Sequence, residues 1–327
     1  MEAAYIEQVR PDLFRVEVPL PRNPLKATNS YIIRGADRNL VIDTGMHRDE
    51  CRQALADAFN RLGIEPDRTD YFITHMHADH VGLVDELPVS GSKVYFHPAD
   101  ADFLYLKDLW KIVYTLAARH GFPQDQVDRA IDSHPGQRYS PKKAVDFTMI
   151  NDGYTISCGP YSLQCVVTPG HTPGHTCLYE PDLKMLFSGD HILGDITPNI
   201  STWLDDTNPL EQYYRSLEKI YAMEVELVLP GHRRLVRDCR GRIDELKAHH
   251  GRRLEEVMDI LKTRGEGSAF KVASHMTWDL VADCWDDFPL MQKWFASGEA
   301  LAHIRYLEVQ GRVTRRMDKE LALFRAL

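Results

Sequence analysis

The stretch YFITHMHADHVGL, from Tyr71 to Leu83, places three histidines and an aspartate within six residues: His75, His77, Asp79 and His80. An apolar and aromatic run comes directly before them, so the segment is predicted to be a buried β-strand that continues into a polar loop. Functional residues concentrate on loops of this kind. We therefore expect the chemistry of this protein to lie at the end of that strand.

The bulk composition limits the partners that this protein is expected to have. The chain has 327 residues, which predicts one large domain and a smaller one. Its net charge of -9 disfavours a broad nucleic-acid surface, so a small-molecule substrate is expected instead. No apolar run approaches the ~20 residues of a membrane-spanning helix. The richest candidate, residues 103–121, is interrupted by Lys107, Asp108 and Lys111, so no membrane partner is expected.

The cysteines and the N-terminal segment predict a cytoplasmic protein. The six cysteines show no CxxC pairing and no framework spacing, which suits a reducing compartment and buried thiols. The segment from Met1 to Phe14 carries acidic residues early and lacks the apolar region of a secretory signal.

Strand and helix patterns alternate from the start of the chain to about Gly170, which predicts an α/β fold. The runs NSYIIRG, residues 29–35, and NLVIDTG, residues 39–45, are predicted to form a hairpin. Residues 47–63 show the apolar spacing of a helix, with Gly63 as its C-cap. KVYFH, residues 93–97, predicts a further strand.

A helical pair interrupts this alternation and a helical region ends the chain. Residues 98–141 are predicted to form a helical insertion, and strand patterns return from FTMIND, residues 147–152, to EVELVLPGH, residues 224–232. Beyond Gly241 the sequence becomes helical and charged. We therefore predict a domain over residues 1–240 and a small, mainly helical C-terminal domain over residues 241–327.

Side chains that bind metals recur at several predicted strand ends. Imidazole nitrogen and carboxylate oxygen are suited to zinc and its neighbours, and an HxHxDH turn can direct several of them at one point. Three more turns of this type follow: TPGHTPGHT (Thr168–Thr176), FSGDHI (Phe187–Ile192) and LPGHRR (Leu229–Arg234). The pattern predicts a metal site built from all four turns.

The ordered set THMHADHVG, TPGHTPGHT, FSGD and LPGH resembles the metallo-β-lactamase superfamily over roughly Tyr31 to His232. This resemblance implies an αββα sandwich, in which two sheets pack face to face between outer helices, with a dinuclear metal site at one edge. The stretch Pro19–Ile33 is similar to that of bacterial members with a helical insertion and a C-terminal helical or winged-helix-like module.

The resemblance also implies roles for individual residues. The cofactors would be two divalent metal ions, with zinc as the expected metal and iron or manganese as alternatives. The implied ligands are His75, His77 and His171 for the first ion, Asp79, His80 and His232 for the second, and Asp190 as a bridge between them. Without an anion between them, two dications would repel strongly.

Two further residues are assigned supporting roles. Asp43, in VIDTG, is predicted to orient a ligand histidine, although a turn-forming role before Thr44 and Gly45 is the alternative. In TPGHTPGHT the family's ligand is the first histidine, so His175 is given a structural or supporting role.

Details of the motifs separate the possible reactions. His77 stands where the family's diiron flavoproteins have glutamate, and the true β-lactamases generally lack an aspartate at the place of Asp190. The resemblance therefore favours a glyoxalase II-like hydrolase in which a metal-bound hydroxide attacks an ester-type acyl bond, in a thioester or a lactone. Asp79 and Asp190 are the predicted catalytic residues, and Asp79 is the predicted proton acceptor.

Two alternative functions depend on the C-terminal region. EALAHIRYLEVQGRVTRRM resembles the end of a winged helix, and Arg312, Arg315 and Arg316 form a local basic group. A phosphodiesterase or ribonuclease is the first alternative, and a metal-sensing DNA-binding regulator is the second. We favour packing of the apolar helix face against the metal domain or a second subunit, which allows a homo-oligomer.

Overall fold

The computed structural model describes residues 4–279 and 284–327. The first three residues of the N-terminal segment discussed above lie outside the described residues. Contacts divide the chain into two compact units. Unit 1 comprises Met1–Tyr105, Pro135–Pro198 and Ser216–Arg242, and unit 2 comprises Leu106–His134, Asn199–Arg215 and Ile243–Leu327. The residues of the predicted insertion are thus shared between the units, and the predicted boundary at residue 240 stays a prediction.

A seven-stranded sheet forms one layer of unit 1. Its strands lie in chain order: β1 (Tyr5–Arg10), β2 (Leu13–Pro19), β3 (Ala27–Ile33), β4 (Asn39–Ile42), β5 (Thr69–Phe72), β6 (Val94–Phe96) and β7 (Thr148–Met149). The pairs from β1 to β4 are antiparallel and those from β4 to β7 are parallel. The predicted hairpin of β3 and β4 is confirmed.

A five-stranded sheet forms the second layer of unit 1. Its order is β12-β11-β10-β9-β8, built from β8 (Thr155–Cys158), β9 (Tyr161–Val167), β10 (Thr176–Glu180), β11 (Met185–Gly189) and β12 (Leu227–Pro230). β11 and β12 are parallel. Two of the ligand-type motifs, FSGD and LPGH, therefore reach the same edge of this sheet.

The hydrophobic core of unit 1 lies between these two sheets. One cluster of buried side chains joins Tyr31 and Phe72 of the first sheet to Leu178 and Phe187 of the second. The rings of Tyr31 and Phe187 meet edge to face, with centroids 5.3 Å apart. The predicted α/β sandwich is confirmed.

The helices are α1 (Asp49–Leu62), α2 (Ala78–Val81), α3 (Pro98–Leu104), α4 (Leu109–Arg119), α5 (Gln124–Ser133), α6 (Pro135–Tyr139), α7 (Pro209–Tyr221), α8 (Cys239–Arg264), α9 (Ala269–Ala273) and α10 (Leu290–Val309). α1 ends as predicted at Gly63, whose φ of 66° is the left-handed conformation that glycine adopts readily. None of the helices in the described chain combines the length and apolar character needed to cross a membrane.

The first predicted helix of the insertion is interrupted. α3 ends at Leu104 and α4 begins at Leu109, so two helices stand where the predicted helical pair has its first helix. Asp108 adopts a left-handed φ of 61° between them. The hydroxyl of Tyr105 accepts a hydrogen bond from the backbone N–H of Val145 at 3.0 Å, a contact distant in sequence that holds the chain at the break. Periodicity alone did not indicate this contact.

Unit 2 is mainly helical and also contains a hairpin. The predicted strand at RVTRRM is β13 (Val313–Asp318), and it pairs with β14 (Leu321–Ala326), which was not predicted. The apolar face of α10 is buried as expected, with Leu301, Ile304 and Leu307 all nearly inaccessible to solvent. Within unit 2, α10 packs on α5, α9 and β13.

The basic group near the end of the chain is neutralised by carboxylates of the same unit. Arg312 pairs with Glu255 at 3.0 Å, and Arg316 pairs with Glu266 at 2.6 Å. Arg315 lies 2.9 Å from Asp205, which also binds Arg119 and His120. These arginines therefore hold parts of unit 2 together.

Five of the six cysteines are buried as expected, but Cys284 is exposed. It lies directly before the short 3₁₀ turn Trp285–Asp287. All six are free thiols.

Candidate metal centre

The histidine loop that follows β5 is oriented by the residue before it. Thr74 contacts His75 Nδ1 at 3.0 Å through its hydroxyl. The backbone N–H of Thr74 donates to Asp43 Oδ1 at 2.9 Å, and its hydroxyl lies 2.9 Å from Asp43 Oδ2. The strand end and the loop after β4 are thereby tied together, and His75 Nε2 lies 3.1 Å from His77 Nδ1.

Three of the predicted ligands form a first group. His75, His77 and His171 offer ligand atoms that all lie within 4.8 Å of one another. His171 comes from the loop between β9 and β10, so the two sheets of unit 1 both contribute. Burial lowers the pKa of His75 and of His77 well below the ordinary imidazole value. Both rings are therefore neutral, which is the form that binds a metal ion.

Asp79, His80 and His232 form a second group within the same 4.8 Å limit. His232 Nε2 lies 3.4 Å from His80 Nε2 and 3.4 Å from Asp79 Oδ2. The opposite nitrogens of both rings are engaged: His80 Nδ1 contacts Asp43 Oδ2 at 2.7 Å, and His232 Nδ1 contacts the Ala27 carbonyl at 2.8 Å. Contacts of this kind fix the orientation of a ligating imidazole and make it more basic.

Asp190 lies between the two groups. Its Oδ2 is 3.7 Å from His171 Nε2 and 3.4 Å from His232 Nε2, and its Oδ1 is 3.5 Å from His80 Nε2. His75, His80 and Asp190 also satisfy the 4.8 Å limit as a third group. The carboxylate thus lies within 3.7 Å of imidazole nitrogens from both groups.

The charges around the second group favour a bound cation. Burial alone would raise the pKa of Asp79, but the imidazoles of His80 and His232 outweigh it and lower that pKa to about 2. Burial would lower the pKa of His80, yet the carboxylates of Asp43, Asp190 and Asp79 raise it to about 8. Asp79 is therefore ionised and His80 is protonated at neutral pH, and a divalent cation would replace the imidazole proton as the positive partner of these carboxylates.

His175 lies behind the cluster. Its Nε2 accepts a hydrogen bond from the backbone N–H of Asp190 at 3.2 Å, while its Nδ1 contacts the Thr168 hydroxyl at 2.8 Å. Both ring nitrogens of His175 are thus used within the protein. The supporting role of His175 stays a prediction.

The residues fit divalent metal ions. Five imidazoles and two carboxylates form a nitrogen and oxygen donor set that accepts zinc, iron or manganese. Asp190 Oδ1 is buried and makes no hydrogen bond within the described residues. A Cβ at Gly231 would lie 2.6 Å from that same oxygen and 2.7 Å from His80 Cε1, so only glycine permits this close approach.

Two supporting groups were missed by sequence reasoning. The carbonyl of Ala27 holds His232, and a backbone carbonyl leaves no signal in residue type. The buried carboxylate of Asp100, in α3, accepts hydrogen bonds from two of the ligand-bearing loops. Asp102 in the same PADAD segment is exposed, so composition did not distinguish the two acids.

Two family models match the chain. Residues 23–232 match the one described as metallo-beta-lactamase superfamily. Residues 285–326 match the one described as metallo-beta-lactamase-like, C-terminal domain. The first match includes all seven of the predicted metal ligands, and the second lies within unit 2.

Three similar proteins illustrate the resemblance. A crystal structure of a metallo-beta-lactamase family protein from Thermus thermophilus has a TM-score of 0.84 and 27% identity, covering 98% of this chain and 100% of that one. Acyl-coenzyme A thioesterase MBLAC2 from Homo sapiens is 28% identical, covering 62% of this chain and 72% of its own. An atrochrysone carboxyl ACP thioesterase from Aspergillus fumigatus is 27% identical, covering 77% of this chain and 69% of its own.

Proposed function

The chain belongs to the metallo-beta-lactamase superfamily and is a hydrolase, and from this premise we propose that it hydrolyses thioesters at a site for two divalent metal ions. His75, His77 and His171 would hold one ion, and Asp79, His80 and His232 the other. Asp190 would join them. The observation that carries this proposal is the place of the Asp190 carboxylate, within 3.7 Å of imidazole nitrogens from both groups.

A bound pair of divalent cations lowers the pKa of water and polarises the bond under attack. The protein's own contribution is to hold the imidazoles in fixed orientations. Asp43 and the Ala27 carbonyl engage the outer nitrogens of His80 and His232, so their inner nitrogens face the centre of the site. Prearranged groups of this kind need little reorganisation during a reaction.

Asp79 is the residue best placed to accept a proton from the attacking water. Its side chain keeps 14% of its surface accessible, whereas that of His80 keeps none. Because His80 and His232 lower its pKa to about 2, overcoming the opposing effect of burial, Asp79 is ionised at neutral pH. Its ionised carboxylate can therefore accept a hydrogen bond from the attacking water while the imidazoles stay in place, and because a carboxylate with so low a pKa is a weak base, it takes the proton only transiently.

Three considerations favour a thioester over other acyl bonds. A thiol has a pKa of about 8.5, so a thiolate leaves without being fully protonated first. The acidic side chains Asp79 and Asp190 both have lowered pKa values, because neighbouring imidazoles outweigh the effect of burial, and so they are bases rather than proton donors. Two of the related proteins also carry thioesterase names. A lactone is the next candidate of the same acyl class.

A substrate panel tests the proposal. The zinc-loaded protein would be assayed with an acyl-coenzyme A, an S-acyl pantetheine, a lactone and a bis-aryl phosphodiester, each at several concentrations. We expect the highest kcat/KM for the thioesters and its loss in Asp190→Asn. Faster hydrolysis of the phosphodiester, or equal thioester turnover by Asp190→Asn, would contradict the proposed function.

A further inference from the structure

One buried carboxylate connects the two loops that carry the first group of histidines. Asp100 Oδ2 accepts a hydrogen bond from the backbone N–H of Met76 at 2.8 Å, and Met76 stands between His75 and His77. The same oxygen accepts a hydrogen bond from the Thr172 hydroxyl at 2.7 Å, one residue after His171. Oδ1 accepts one from the backbone N–H of Gly174 at 2.6 Å.

The Asp100 carboxylate is held by these three donors. Asp100 is completely buried, and the donors all come from the two loops. The cost of burying the charge is offset by these three hydrogen bonds. Burial raises the pKa of Asp100 to about 6 even though the three bonds oppose this shift.

Gly174 packs closely against Asp100. A Cβ at Gly174 would lie 2.6 Å from the Asp100 backbone nitrogen and 2.9 Å from its Cβ, so the loop can approach only because this residue is glycine. Met76 itself is buried. One carboxyl group thus bridges the two loops next to their histidines, in addition to the backbone hydrogen bond that the Thr176 N–H donates to the Thr74 carbonyl at 2.8 Å.

We propose that Asp100 is a positioning residue that sets the distance between His75 and His77 on one loop and His171 on the other, and thereby the affinity of the first metal site. This inference rests on the proposed two-metal site. Asp100 acts through the backbone of the loops and the Thr172 hydroxyl rather than through the ligand side chains. Its loss should weaken the first group, while Asp79, His80 and His232 keep their own supports at Asp43 and Ala27.

The variant Asp100→Asn tests whether Asp100 sets the affinity of the first metal site without affecting the second. An amide has nearly the shape of a carboxylate but only one acceptor oxygen, so its NH₂ group would face at least one of the three donors. A donor that faces another donor in a buried site loses its hydrogen bond. Asp102→Asn is the matched control, because Asp102 lies on the same helix and is exposed.

The readout is metal binding rather than turnover. The metal-free proteins would be titrated with Co²⁺ while the visible spectrum and the bound metal are recorded. Loss of an outer contact to a metal ligand typically costs about 10- to 100-fold in affinity, so Asp100→Asn should weaken one of two Co²⁺ sites by that factor. The other site and Asp102→Asn should match the wild type.

A milder pair of variants covers the case in which Asp100→Asn does not fold. Thr172→Val removes one of the three donors at nearly constant volume, and Thr172→Ser keeps the hydroxyl. We expect Thr172→Val to weaken the same Co²⁺ site by a smaller factor and Thr172→Ser to restore it. Thermal unfolding of the metal-free proteins shows whether each variant is folded.

Three results would contradict the account: one concerns the two-metal site, and the other two concern the role of Asp100. If the wild-type protein binds fewer than two Co²⁺ ions at saturation, the proposed two-metal site is wrong. If the wild type binds two but folded Asp100→Asn or Thr172→Val binds both with unchanged affinity, the positioning role of Asp100 is wrong. Equal weakening of both sites would also overturn the selective role.

Discussion

Two groups of buried histidines in this protein differ in the charges that surround them. At the strand ends of unit 1, Asp43, Asp79 and Asp190 lie against His80 and raise its pKa to about 8 against the effect of burial. In unit 2, His250 Nδ1 contacts His303 Nε2 at 3.1 Å. Burial there lowers the pKa of His303 to about 3.

Among the described residues, the pair formed by His250 and His303 also lacks a third candidate metal ligand. His303 Nδ1 contacts the backbone carbonyl of Glu299 at 2.8 Å, four residues before it on the same helix. Within residues 4–279 and 284–327, no further His, Cys, Asp or Glu joins His250 and His303 in a three-ligand group. We therefore expect that close packing of two histidines is not enough to bind a metal ion here. Convergence of carboxylates on imidazoles from several loops distinguishes unit 1.

The largest effect is expected from removing the bridging charge. Asp190→Asn keeps the size of the side chain but removes the anion that lies against both histidine groups. We expect kcat to fall by about 10²–10³-fold or more, as for the loss of a major electrostatic group in an active site. Bound metal should fall from about two ions per chain to about one.

Turnover and metal content of Asp190→Asn are measured on the same preparation. Circular dichroism serves as the control for folding, because the change leaves the core between the sheets intact. Wild-type metal content together with wild-type turnover would show that the bridge is misassigned.

A smaller effect is expected from Asp43→Asn. Asp43 has a left-handed φ of 61°, and asparagine tolerates this conformation as well as aspartate does. The backbone should therefore be preserved while the charge next to His80 Nδ1 is lost. We expect a loss of about 10- to 100-fold in metal affinity or activity.

Chelator competition on Asp43→Asn identifies which site is affected. The second group should lose its ion at a lower chelator concentration than in the wild type, because His80 belongs to that group. Unchanged retention of both ions would mean that Asp43 has only a role in the turn.

The smallest effect on activity is expected in unit 2. His303→Gln should leave kcat and metal content within about twofold of the wild type, but it should change the pH dependence of stability. The pKa of His303 is depressed in the folded protein, so the unfolded chain binds more protons as the pH falls below about 6.5. The free energy of unfolding therefore decreases on acidification, by up to about 1.4 kcal/mol per pH unit for each such histidine.

Denaturant unfolding of the metal-free proteins between pH 7 and pH 4 checks this expectation. His303→Gln should show a shallower decrease than the wild type on the acid side. His275→Gln is the matched control because His275 is exposed, and its slope should stay close to that of the wild type. If the free energy of unfolding decreased equally with falling pH in His303→Gln and in the wild type, the depressed pKa of His303 would not be the cause of the decrease.

Sequence reasoning predicted the parts of this protein that depend on local pattern. The strands that end at THMHADH, FSGD and LPGH and the helix that ends at Gly63 are all present. These features rest on apolar alternation and on turn residues, which the sequence displays directly. The sandwich of two sheets and the seven proposed ligands were implied by the resemblance to the metallo-β-lactamase superfamily instead; the sandwich is present, and the structure brings the seven residues together.

Other features depend on partners that are distant in sequence. The break after Leu104 is held by Val145, and β14 forms only by pairing with β13. Asp100 differs from Asp102 only in what packs around it. The ion pairs of Arg312, Arg315 and Arg316 likewise need carboxylates far along the chain. Such contacts between distant residues cannot be predicted from the local composition of the sequence.

Anomalous X-ray scattering at the zinc edge, from crystals of the zinc-loaded protein, tests the central claim most directly. We predict two peaks about 3.5–4 Å apart, with Asp190 between them and the histidines of unit 1 around them, and no peak at His250 and His303. A single peak in unit 1 at full zinc occupancy, or a zinc ion bound at His250 and His303 instead, would contradict the two-metal account.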